Sequence, residues 1–248
     1  MTKEEKTSKD IFRLIKDKQD DLVLAATNIA FYLMPYKPDA DLPKVVDDVT
    51  GNLLELPQGA FSLGEIQKKA GVSLTPDLKT EGIQGYGSRA SRRVFVTEEN
   101  FDIDFTVQEI RKQAYEMFFG LDDADITTSG KATRMVKRAS GSIRYYTLVG
   151  IAVDEAFSGE IYPFWVFPKV AVTKKGKMDL AEAQEMGMPM TFTMFEANGV
   201  QFEIGLAGAG WPALAKKAGF MDKATEGSTG ASSSVSTPGS TPTPTTGH

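Results

Sequence analysis

The sequence predicts a mainly β protein with a flanking α-helix, and three observations carry that reading. Between Asn100 and Ile110, Phe101, Ile103, Phe105 and Val107 alternate with Asp102, Asp104, Thr106 and Gln108. This is the period-2 pattern of a strand with one buried and one wet face. Ser142 to Val153 and Ile161 to Thr173 are both rich in β-branched and aromatic residues, which suit a pleated surface. The best helical pattern is Ile110, Ala114, Met117 and Phe118, which stops at Gly120, a residue suited to a helix C-cap.

The remaining elements follow in chain order. Residues 1–21 read as a polar N-terminal arm in which Ile11, Leu14 and Ile15 have helical spacing, so a frayed terminal helix is expected. Residues 22–36 are apolar and end at Pro35; Pro38, Pro43 and Pro57 then punctuate a loop-rich stretch. Leu56 to Asp77 mixes short apolar pairs with Gly59, Gly64, Gly71 and Pro76, a pattern of short strands and turns. The segment Arg92 to Thr97 is expected to pair with the alternating strand across a turn at Glu98, Glu99 and Asn100. Residues 121–141 are polar, acidic first and basic afterwards, and read as a mobile loop. Pro163 and Pro168 mark edges or bends in the strand that contains them.

Met186, Met188, Met190, Phe192 and Met194 fall at every second position, opposite Thr191, Thr193 and Phe195. A core face is the expected role, ahead of a soft partner-binding face. Asn198-Gly199 predicts a hairpin turn that returns Val200 to Leu206 as the partner strand. Beyond Ala224 the chain is dominated by Ser, Thr, Gly and Pro, which cannot bury enough surface to order itself. The expected organisation is an arm (1–21), one domain (22–223) and a disordered tail (224–248).

Composition narrows the function classes. Hydrophobic residues make up 41% and charged residues 25% of 248, enough for a genuine core. No apolar run approaches the roughly 18 residues of a membrane span, and Met1 to Asp21 carries no apolar signal region, so neither is expected. The absence of cysteine excludes disulfides, thiolate chemistry and Cys-based zinc sites. The sole histidine is His248, the last residue, so a histidine relay or two-histidine metal motif inside a pocket is not expected. Asp122, Asp123 and Asp125 do not form a calcium loop, because counting from Asp123 the required glycine falls on Thr128 and the closing Glu on Arg134. The clusters Gly82, Gly85, Gly87 and Gly205, Gly208, Gly210 match no phosphate-binding spacing and read as tight turns. Asp102 and Asp104 read as solvated in preference to a catalytic pair. No catalytic, cofactor-binding or metal-ligating residue is expected, and an enzyme is disfavoured. The net charge of -5 is held almost wholly by the central body, the reverse of a nucleic-acid-gripping surface.

Taken in order, several motifs resemble one family. TNIAFYLMPY, GAFSLGEIQKKAGVSLTPD, GYGSRASRRVF, the FDIDFTVQE strand, FWVFPKVAVTKKGKMDL, GMPMTFTMFEANG and GAGWP are similar, collinearly from about Leu22 to Phe220, to major tail tube proteins of long non-contractile-tailed bacteriophages (siphophages). The likeness is to the actinobacteriophage-type members of that family. Tyr86 stands where relatives often carry Trp, and the immunoglobulin-like domain that some relatives bear after a Ser/Thr-rich linker is not expected here.

The resemblance implies two antiparallel sheets in a tail-tube-type sandwich or barrel, with long assembly loops and terminal arms. It implies homo-hexameric rings that stack into a virion tail tube after assembly in the host cytoplasm. It also implies partners in the tape measure protein and the tail terminator and baseplate proteins, no cofactor and no membrane. Open strand edges would be completed by neighbouring subunits, and head-to-tail stacking can grow without closing. Residues 37–58, residues 121–141 and the N-terminal arm are the candidates to lock rings together. DNA would pass through the lumen without specific binding, lined by the polar face of Asp102, Asp104, Thr106 and Gln108. The alternative reading is a β-sandwich adhesin-like or capsid-decoration binding module.

Overall fold

The computed structural model describes residues 7–221 apart from 88, 140, 157, 158, 183 and 184. The expected tail (224–248) and the first six residues of the arm lie outside the described residues. The elements in order are α1 (Ser8–Lys16), β1 (Asn28–Pro35), β2 (Phe61–Ser62), β3 (Ser73–Gln84), β4 (Ser91–Val107), α2 (Lys112–Phe119), β5 (Ile126–Ser129), β6 (Ala132–Met135), β7 (Tyr146–Ala156), β8 (Gly159–Lys175), β9 (Met188–Phe195), β10 (Glu203–Ala207) and α3 (Trp211–Ala218). The fold is mainly β with two antiparallel sheets, as the sequence predicts. The larger has eight strands in the order β2-β1-β7-β8-β9-β4-β3 with β10 also on β8, and the smaller is the β5–β6 pair.

One strand sets the shape. β8 pairs β7 along one edge from Gly159 to Val170, while its other edge takes β10 at Tyr162–Val166 and then β9 at Lys169–Lys175. The sheet therefore forks, and the β9-β4-β3 branch turns over the β1-β7 branch. Phe31 of β1 stacks on Phe105 of β4 at 4.5 Å between ring centroids, and Phe105 stacks on Phe192 of β9 at 5.1 Å, although three strands separate β1 from β4 along the ladder. The segment 61–67 nearly closes the loop: Leu63 N–H donates to Phe31 O at 3.0 Å, and Gln67 N–H to Thr106 O at 2.9 Å. A two-residue pairing with β1 and a single bridge to β4 do not make a continuous ladder, so the result is a sandwich and not a closed barrel.

The core lies between the branches. Met188, Met190, Phe192 and Met194 are buried and alternate with partly exposed neighbours, so the methionine stripe is a core face. Met186 lies outside β9 and is exposed, so the stripe is one residue shorter than its spacing suggested. α2 buries Ala114, Met117 and Phe118 against this core and ends at Gly120, whose φ of 65° supplies the left-handed cap. No described helix is long and apolar enough to cross a membrane.

Four expectations change. β4 runs unbroken through Glu98–Asn100, so no turn lies there; its partner is β3, with a register shift opposite Lys79/Thr80. β10 follows the Asn198-Gly199 turn but pairs β8, not β9, because Gly205 has no side chain to strike the Phe164 ring above it. Gly205 and Gly82 thus stand in strands for close approach, and only Gly87 and Gly208 of the two clusters have turn-like positive φ. Finally, residues 121–141 are not a free loop. Arg138 bonds the buried Asp125 carboxylate at 2.6 Å, Arg144 pairs Asp122, Lys112 pairs Asp123, and β5–β6 forms a hairpin. The composition is polar because charge pairing, and not burial, provides the order.

Two outcomes follow from this packing. Phe105→Ala removes the ring sandwiched between Phe31 and Phe192, and should cost roughly 3–5 kcal/mol in urea unfolding. Hydrogen bonds from Asp122 N–H and then from Arg138 hold the Asp125 carboxyl below its ordinary range. A depressed carboxyl contributes stability that is present above its unfolded pKa of about 4 and lost as pH falls through the folded value. Amide exchange in β5–β6 should therefore accelerate selectively below about pH 4, and Asp125→Asn should abolish that step.

Candidate functional site: a polar sheet face and exposed assembly elements

The four residues expected to form a polar face are brought together by β4 and the chain just after it. Asp102 lies opposite Thr193 of β9 and Thr75 of β3; Asp104 lies opposite Thr191 and Ser73. Thr193 Oγ1 donates to Asp102 at 2.6 Å, Thr191 Oγ1 donates to Asp104, and Thr173 and Thr193 share a hydrogen bond of 2.7 Å. Lys174 reaches Asp102 at 3.3 Å. Thr106 is buried in the same row, and the Gln108 amide donates to Glu185, which also accepts from Gln67.

This arrangement is a band of short side chains across four strands, with its hydroxyl donors turned onto its own carboxylates. The surface keeps its two carboxylates, and the exposed Lys174 ammonium partly offsets their charge. Among the described residues, no group of acidic or histidine side chains converges to hold a metal ion. Thr191 and Thr193 could be foreseen from their alternation with the methionines. Lys174 could not, because a register shift between Val172 and Lys174 brings it onto the face.

The second feature was expected only in pieces, as the Arg92–Thr97 strand and the turn at Gly82, Gly85 and Gly87. β3 and the first nine residues of β4 are exposed throughout, so the hairpin leaves the body as an arm. At about 3.3 Å per residue those nine residues span about 30 Å. Apolar side chains sit on both faces: Val94 and Val96 on one, Ile83 and Phe95 on the other, with Arg93 stacked over the Phe95 ring at 5.0 Å. A two-stranded ribbon is marginal in water, and β3 leaves one backbone edge open.

Smaller projections surround the body. Val46 and Leu53 bridge a knob whose turn is fixed by the Asp47 carboxylate, which accepts from Thr50 N–H at 2.7 Å and Thr50 Oγ1 at 2.8 Å. Val49 at its tip is 94% exposed. The base of the sandwich is braced by Glu109, which accepts from Glu65 N–H at 2.9 Å and from Arg111 at 2.7 Å; Arg111 in turn donates to Ser62 O at 3.2 Å. Gly64 passes under this pair with φ of 78°, where a Cβ would strike the Glu109 carboxylate. α1 is exposed along its whole length.

A family model described as phage tail tube protein matches residues 57–203, a span that contains the arm, the polar face and the forked strand. No curated protein matches the chain. A chain from the cryo-EM structure of the anti-feeding prophage baseplate, 6-fold symmetrised, is similar over 75% of this chain and 97% of that one, at 9% identity and a TM-score of 0.40. That likeness is distant. The family match covers more than half the sequence, and the chain belongs to the phage tail tube protein family, a structural component of the virion tail.

Proposed function

We propose that copies of this chain form six-membered rings, that the rings stack into the tail tube of a phage with a long non-contractile tail, and that DNA leaves through the tube. The family match over residues 57–203 carries this reading. The unit that assembles is the domain 22–223, built in the host cytoplasm and retained in the virion. Its partners are other copies of itself, the tape measure protein, and the terminator and baseplate proteins at the tube ends. DNA passes without specific binding, and the role is structural and not enzymatic.

Two features support the reading physically. The arm exposes apolar side chains on both faces and an open strand edge, which a neighbouring copy would cover and extend. The polar band on β3, β4, β9 and β8 suits a lumen, since Asp102 and Asp104 repel phosphates, their threonine neighbours are internally bonded, and Lys174 is paired with Asp102. Asp102, Asp104, Thr106 and Gln108 are accordingly assigned to the lumen.

Purified protein viewed by negative-stain microscopy at high concentration should show tubes of phage-tail width; stable monomers would favour the binding-module alternative. Reversal of Asp102 and Asp104 to Lys should leave tubes intact and slow DNA ejection, and normal ejection by the double variant would remove those residues from the lumen. Shortening the arm by excising residues 80–96 should leave thermal unfolding of the body near its original midpoint while abolishing tubes.

A further inference from the structure

We propose that the cavity at the end of α2 binds a free phosphate-type oxyanion between Lys137 and Lys175, a site independent of the tube reading. The cavity measures about 330 Å³ and lies where the end of α2, the approach to β7 and the end of β8 meet. Lys137, Arg144 and Lys175 line it, together with the hydroxyl-bearing Ser142, Thr173 and Tyr146. Cations and hydroxyls are the donor set that suits a tetrahedral oxyanion, whose oxygens all accept.

The two lysines converge on one point. A Cβ on Gly120 would stand 3.3 Å from Lys137 Nζ and 3.7 Å from Lys175 Nζ, so the two nitrogens lie within about 7 Å of each other. That position is empty because Gly120, whose φ of 65° closes α2, has no side chain. A phosphate can bridge such a gap, with a charge-assisted bond of about 2.8 Å to an ammonium group on each side. The cavity admits one phosphate group and not a chain of them, which favours a free anion over a phosphodiester.

Lys175 also lacks a counter-ion of its own: no carboxylate pairs with it among the described residues. The cavity walls first, and then the neighbouring Lys137, hold its ammonium group below the ordinary pKa range. The acidic groups of the wall are engaged elsewhere, Asp122 with Arg144 and Glu116 with Lys112 at 3.8 Å. A helix C-terminus ordinarily opposes an anion. That field is offset here, because Gly120 O accepts from Lys137 Nζ at 2.7 Å and Leu121 O accepts from Arg144 Nη2 at 2.6 Å. A dianion between the two lysines would replace one repulsion with two attractions.

Equilibrium dialysis of the full chain against labelled inorganic phosphate, with ionic strength held constant by sodium chloride, should show saturable uptake of one phosphate per chain. Lys175→Gln and Lys137→Gln should each weaken that uptake by about tenfold or more. Lys177→Gln loses the same charge and should leave it unchanged. Phosphate should also slow amide exchange from Gly141 to Arg144, and the slowing should vanish in the Lys175→Gln protein. A short single-stranded oligonucleotide without terminal phosphates should not compete. The proposal is overturned by a lack of saturable uptake, or by uptake that survives both lysine substitutions. Competition by the oligonucleotide, or an equal loss in Lys177→Gln, would mark a diffuse basic surface and overturn it as well. Dialysis reads tubes and free subunits alike, so the outcome stands apart from whether tubes form.

Discussion

The architecture depends on how β8 distributes its hydrogen bonds. A strand has two edges, and a 17-residue strand can offer one of them to two partners in succession. β8 does so, giving β10 its first half and β9 its second. Because β10 and β9 leave the shared edge at different points, the sheet cannot remain a single open surface. One branch is carried over the other, and Phe31, Phe105 and Phe192 fill the space between. Gly205 is part of the same device, since its missing side chain lets β10 approach the Phe164 ring.

β4 then serves two environments at once. Its inner row, Phe101 to Val107, closes the sandwich, while its outer row, Asp102 to Thr106, bonds to hydroxyls on β9. Farther toward its start the same strand leaves the core and enters the arm. Core, polar band and arm therefore share one extended segment.

Legibility in the sequence followed burial. Phe101 to Val107 and Met188 to Phe195 alternate between two contrasting environments, so their pattern revealed both the strands and the face carrying Asp102 and Asp104. The pattern disappears at Glu98–Asn100 because both faces of the arm are wet, and nothing there selects one side for apolar residues. That is why a continuous strand read as a turn. Residues 121–141 read as mobile because ion pairs such as Asp125–Arg138 leave no hydrophobic period. The Asn198-Gly199 turn was legible, with φ of 53° and 78°, but the strand beyond it was free to choose β8 over β9. α3 went unread; it begins at Trp211-Pro212 and buries only Leu214 and Ala215, too few to leave a period.

The arm carries a kinetic consequence. An isolated ribbon that is only marginally ordered must lose conformational entropy when it meets its first neighbour, and recovers that cost only as further contacts form. The opening contact between two free molecules would then be weak, while addition to an existing end, where the receiving surface is already set, would be strong. Growth of that kind shows a lag, a threshold concentration and strong dependence on a seed. In the proposed tube, a subunit with such an arm would stay dispersed below that threshold unless it met a finished edge.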